Sequence, residues 1–198
     1  MFPLTTYAST ESEYTGKTYE KDSRLENTIV VNGIDASCYQ DTSSDWVKAK
    51  ENGIDFAILR VTLTTANSGT LNTDNTFERH YNNAKEAGIM RGVYVFSQAK
   101  NKEEGKREAE FAIKRLQELK IEPKDLDLPV YMDYEFYHKE ESRLSNLTRQ
   151  DAIEAAEEFC KTVKSYGYQA GVYANSSFFA SYLDDGKTLP DDVSIWCA

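Results

Sequence analysis

Leu128-Pro-Val-Tyr-Met-Asp-Tyr-Glu135 is the stretch whose reading decides the fold. It is a short apolar run without polar alternation, and it stops at two acids. Such runs suit strands that are buried on both faces. Upstream, Lys102 to Lys120 reads as a helix that leads through Pro123 into this strand. Working outward, a charged amphipathic stretch ends in Gly three times and is followed at once by an apolar run. Asp45 to Gly53 precedes Ile54 to Val61, Phe77 to Gly88 precedes Ile89 to Phe96, and Thr148 to Gly167 precedes Tyr168 to Ala174. Glycine accepts the left-handed backbone that ends a helix. Thr148 with Asp151 three residues on is an N-cap pattern, the acid favouring the first turn. Alternating helix and strand predicts a parallel sheet with right-handed crossovers. Strands are expected to begin near residues 30, 54, 90, 128, 168 and 192. No G-x-G-x-x-G follows the first strand and no G-x-x-x-x-G-K-[ST] occurs, which argues against a nucleotide-binding open sheet. An α/β barrel is therefore preferred to a doubly wound sheet.

Composition narrows the function classes. The chain has 198 residues, 40% of them hydrophobic and 28% charged, enough for one domain with a sizeable core. Residues 1–28 are rich in Thr, Ser, Tyr, Glu and Lys and lack apolar periodicity, so they read as a poorly structured leader before a domain at 29–198. A net charge of −10 repels nucleic acid and anionic membrane surfaces while permitting an uncharged sugar chain. No apolar run reaches the ~18 residues of a membrane span. Met1-Phe-Pro-Leu4 lacks the basic start and apolar stretch of a signal peptide, so an export signal is expected upstream if the protein is secreted. Cys38, Cys160 and Cys197 have no metal-binding spacing and read as small buried apolar residues. No metal and no cofactor are expected, and a monomer is.

Polar residues terminate the apolar strands. Strand one ends in Asp35, strand three in Ser97-Gln98 after Tyr94 and Phe96, strand four in Asp133-Tyr-Glu135, and strand five in Tyr173 and Asn175. In a β/α barrel these ends converge on the face where catalysis occurs. Asp133 and Glu135 are two apart, so in a strand both point to one side. Neighbouring carboxyls resist simultaneous ionisation, so one keeps its proton to higher pH. A protonated acid beside an ionised carboxylate is what glycosidic cleavage needs. Tyr94, Tyr173 and Trp196 offer surfaces on which sugars can stack.

Six motifs then carry a resemblance. Gly33-Ile-Asp-Ala-Ser-Cys-Tyr-Gln40 with Asp45-Trp46 is similar to the opening of family 25 glycoside hydrolases, the lysozymes that act as N-acetylmuramidases. Gly53 to Arg60, Ala87 to Gln98, Pro129 to Glu135, Gly167 to Asn175 and Ile195-Trp196 follow in that family's order, so the likeness covers residues 31–198. It implies an irregular (β/α) barrel of five β/α units plus short closing strands. It also implies hydrolysis of the β-1,4 bond from N-acetylmuramic acid to N-acetylglucosamine in peptidoglycan, outside the cell or at the wall. By position Glu135 matches the general acid, and Asp133 and Asp35 the other site carboxylates. Tyr94, Ser97, Gln98, Tyr173, Asn175 and Trp196 are expected to bind substrate.

The chain also departs from the family. Val61-Thr-Leu-Thr-Thr65 stands where many relatives have a Gly-Tyr pair, so that rim of the groove is expected to differ. Val95 replaces a common His. The family continues past Ile195-Trp-Cys-Ala198, so the barrel is expected to lack its last strands. That leaves a catalytically weak glycan-binding barrel as the alternative reading. A chitinase-type barrel also ends strand four in D-x-E, but it wants Asp where Leu128 and Tyr131 stand. His80 and His138 read as surface residues, Phe178, Phe179 and Tyr182 as core. Arg60 either pairs with a site carboxylate or packs on strand one.

Overall fold

In the computed structural model, each Gly that the sequence places after a helix takes the left-handed backbone, with φ of 85° at Gly53, 70° at Gly88 and 87° at Gly167. The structure describes residues 9–11, 18–20, 31–40, 44–137 and 142–198. Two units form, Met1–Asn32 and Gly33–Ala198. In the first, β1 (Ser9–Glu11) pairs antiparallel with β2 (Thr18–Glu20). Most of the expected leader, and His138, lie outside the described residues.

The second unit alternates as expected. Its order is β3 (Gly33–Ala36), α1 (Trp46–Glu51), β4 (Phe56–Thr64), β5 (Leu71–Thr73), α2 (Phe77–Glu86), β6 (Met90–Ser97), α3 (Lys102–Glu118), β7 (Val130–Tyr134), α4 (Arg149–Ser165), β8 (Ala170–Ala174), α5 (Ser176–Tyr182) and β9 (Ser194–Cys197). The starts of α1, α3 and α4 are capped by side chains. Asp45 accepts from Lys48 N, Asn101 from Glu104 N, and Thr148 from Asp151 N. Caps of this kind are worth about 1 kcal/mol each.

The sheet runs β3-β4-β6-β7-β8-β9, parallel throughout, with β5 added antiparallel to β4. It curls into a half-barrel. This agrees with the expected irregular barrel that lacks its last strands. Closure needs ladders on both sides of every strand, and among the described residues β3 and β9 each have one, to β4 and β8.

Alternation along the strands gives the sheet two different faces. Ala57, Leu59, Val61, Val93, Val95, Val130, Met132 and Val172 belong to the main core, which the helices cover with residues such as Ala112, Leu116, Ala156 and Phe159. The opposite, concave face carries Ile58, Tyr94 and Tyr131 with Phe56, Phe96 and Trp196 against them. Gly171 is what lets this face close up, because a Cβ there would lie 2.4 Å from the Tyr131 ring. A register shift between Arg60 and Thr62 marks a bulge in β4, after which Leu63 stands opposite Phe96. Bulges re-aim the residues beyond them, and here β4 runs on into the hairpin with β5.

Candidate active site

The concave face ends in a cleft of about 600 Å³. Asp35, Asp133 and Glu135 line it, as do Tyr94, Tyr173 and Trp196. The sheet register explains the convergence: Phe96 is level with Asp133, Asp133 with Tyr173, and Tyr173 with Trp196. Glu135 lies one residue past the end of β7.

The three acids sit at different depths. Asp133 is 8% exposed, and its Oδ1 is buried without a hydrogen-bond partner among the described residues. Burial, then the charges of Glu135 and Asp35, push its carboxyl well above the ordinary range, with Arg60 opposing. Glu135 is half-buried and is also raised, by burial first and then by Asp35. Asp35 is exposed at the cleft edge. Burial and the same negative charges push the Tyr173 phenol up to about 12. The cleft floor therefore favours protons and developing positive charge.

Aromatic rings form the walls. Tyr173 and Trp196 lie 4.5 Å apart between centroids, and Trp196 meets Tyr131 edge-on at 5.6 Å. The sequence reading overlooked Tyr39, which is 81% exposed, with the Arg60 guanidinium 5.2 Å from its ring centre. It also overlooked Tyr137, which meets Phe96 edge-on. The end of β4 and the turn after it form part of the rim, since Leu63 to Ser68 line the cleft. Thr65, Ser68 and Thr70 are joined there by hydroxyl hydrogen bonds, Thr65 to Ser68 at 2.5 Å and Ser68 to Thr70 at 2.7 Å.

Three expected substrate-binding residues are placed elsewhere. Ser97 and Gln98 are fully buried below the cleft, where Gln98 Nε2 donates to the carbonyls of Ser97 and Glu135. Asn175 caps α5, accepting from Phe178 N. These three polar residues at strand ends serve the main chain. Arg60 pairs with buried Asp74 rather than with a cleft acid. His80 is also corrected: it is 2% exposed, and its Nδ1 accepts from the Trp46 indole at 3.2 Å. Of the cysteines only Cys160 is buried; Cys38 and Cys197 are exposed, and all three are free thiols. Phe178 and Phe179 are buried as expected.

Comparison with known proteins places this geometry. The family model for glycosyl hydrolases family 25 matches residues 34–198. Lysozyme M1 of Streptomyces globisporus is 36% identical over 85 residues, which are 43% of this chain and 26% of that protein. The match thus spans about a quarter of the relative's length. A family 25 glycosyl hydrolase from Bacillus anthracis shares the fold with a TM-score of 0.66 at 22% identity, over 86% of this chain and 71% of that one. The modular autolysin LytC of Streptococcus pneumoniae, solved with a synthetic peptidoglycan ligand, aligns with a TM-score of 0.66 at 22% identity, over 89% of this chain and 40% of that one.

Proposed function

The chain belongs to glycosyl hydrolases family 25, and on that premise we propose that it is a muramidase cutting the β-1,4 bond from N-acetylmuramic acid to N-acetylglucosamine in peptidoglycan. The observation that carries the reading is the gathering of Asp35, Asp133 and Glu135 in one aromatic-walled cleft. Asp133 and Glu135 are both pushed up, by burial first and then by neighbouring negative charge, so the site retains a proton to higher pH than free carboxyls would. The reactive arrangement has that proton on Glu135, the more accessible of the two, which delivers it to the leaving glycosidic oxygen. Asp133, then ionised, and Asp35 stabilise the positive charge that grows at the sugar's anomeric carbon, until a water oxygen bonds to that carbon and the water's proton returns to the Glu135 carboxylate. Tyr39, Tyr173 and Trp196 hold the sugar faces. The synthetic peptidoglycan ligand of the pneumococcal autolysin supports the substrate class, and a cell-wall substrate is consistent with action outside the cell or at the wall.

Mass spectrometry of a peptidoglycan digest tests the bond assignment. N-acetylmuramic acid at the new reducing end is the expected product, and N-acetylglucosamine there would overturn it. Retention of the protein on insoluble wall without clearing would instead support the glycan-binding alternative.

A further inference from the structure

Helix α3 turns one carboxyl toward the sheet. Glu108 is 1% exposed and shares its helix face with Ala109, Ala112, Ile113 and Leu116. An apolar side chain there would avoid the cost of burying a carboxyl, so the hydrogen bonds it makes are informative. Glu108 Oε1 accepts from Thr64 Oγ1 at 2.6 Å and from Gln98 N at 3.1 Å. These residues lie at the cleft ends of β4 and β6.

The β6–β7 ladder stops at the pair Ser97 and Tyr134, so Glu135 lies beyond it. Gln98 takes over from there. Its Nε2 donates to the Glu135 carbonyl at 3.2 Å, and its Oε1 accepts from Ser142 Oγ at 2.9 Å. Its backbone N–H, which no ladder uses, goes to Glu108. We propose that Glu108 is a positioning residue: by holding Gln98, whose side chain carries the β6–β7 ladder one residue past its end, it fixes the main chain at Glu135. The proposal rests on reading Glu135 as the acid. It extends the site inward to a helix residue that touches no substrate. Misplacement of a reacting group by about 1 Å can cost on the order of 100-fold in rate.

The test is steady-state kinetics on soluble peptidoglycan glycan strands, well below the lowest melting temperature of the set. Glu108→Ala and Gln98→Ala are each expected to lower kcat about tenfold or more, with KM within about twofold. The double variant is expected to be no worse than the poorer single one, because both act through one chain of hydrogen bonds. Glu108→Gln keeps an accepting oxygen and is expected to hold kcat within about threefold of the parent. A folded Glu108→Ala with the parent's kcat, a loss confined to KM, or losses that multiply in the double variant would overturn the proposal. If Glu108→Ala does not fold, an unchanged kcat in Gln98→Ala overturns it alone. Glu135→Gln is run alongside. Turnover surviving there defeats the acid assignment and this proposal together, whereas an inactive Glu135→Gln beside an unaffected Gln98→Ala defeats only the positioning role.

Discussion

Arg60 Nε donates to Asp74 Oδ2 at 2.8 Å, with side chains 7% and 0% exposed, and this buried pair ties β4 to the turn that follows β5. Asp74 also accepts from Cys38 N, Thr76 N and Thr76 Oγ1, while Arg60 reaches Cys38 Sγ and the Tyr39 ring. Burial alone would raise the Asp74 carboxyl, but the hydrogen bonds from Thr76, Cys38 and Arg60 outweigh it and hold it below its ordinary value. Removing one partner leaves the other as an uncompensated buried charge. Asp74→Ala is therefore expected to destabilise the fold by about 3–5 kcal/mol, read from urea unfolding. A loss under about 1 kcal/mol would show that solvent reaches Arg60 at little cost.

Stability should fall as pH rises from mildly acidic to neutral. Glu108 is raised from 4.5 to about 7 by burial, and Asp133 and Glu135 shift in the same direction. A folded state that binds protons more tightly than the unfolded chain loses stability as pH climbs from the unfolded value through the folded one. For Glu108 alone this amounts to on the order of 3 kcal/mol. Asp74, shifted downward, works oppositely and at lower pH: its contribution is lost as pH falls through its folded value. The melting temperature is expected to peak near pH 5 and decline toward pH 8. Glu108→Gln should flatten much of that decline. An equally steep decline in Glu108→Gln would mean that Glu108 is not the group titrating there.

Glu135→Gln is expected to lower hydrolysis by roughly two to four orders of magnitude, the usual worth of a positioned proton donor. Fold and glycan binding should survive, because the amide keeps the shape of the acid. Asp133→Asn is expected to be comparably damaging and Asp35→Asn damaging as well. More than a tenth of the parent turnover in Glu135→Gln would remove Glu135 from the acid role.

Much of this arrangement was legible in the chain because strands β4, β6, β7 and β8 are apolar runs that stop at polar residues. That pattern points to Asp133, Glu135 and Tyr173, which line one cleft in the folded chain. It misled at Ser97, Gln98 and Asn175, since a polar residue at a strand end can serve unpaired main-chain groups as readily as a ligand. Glu108 was hidden by its surroundings: in Glu103 to Glu110 the acids look like one solvated face, and only the helix's packing shows that one of them turns inward. The strand Leu71-Asn-Thr73 left no signal because it is short and mostly polar, and its pairing with β4 defines it. His80 looked superficial for want of its partner, the Trp46 indole, which is 34 residues away.

Tyr39 offers a clean measure of sugar stacking. The ring is 81% exposed and lines the cleft wall beside Arg60. Truncating a buried wall residue such as Tyr94 would disturb the concave-face cluster and blur the result. Tyr39 holds little of the fold in place, so Tyr39→Ala should leave the melting temperature within a degree or two, surface changes being usually worth under about 0.5 kcal/mol. An aromatic contact worth about 1 kcal/mol corresponds to roughly a fivefold change in binding. The contact is made equally in the ground and transition states, because the ring lies on the wall and Asp133 and Glu135 on the floor. Uniform binding of that kind raises KM and leaves kcat alone. Tyr39→Ala is therefore expected to raise KM about fivefold on soluble glycan strands with kcat unchanged, and Tyr39→Phe to match the parent. A fall in kcat with KM unaltered would mean that Tyr39 acts on the reacting centre through Arg60, and the stacking assignment would have to be abandoned.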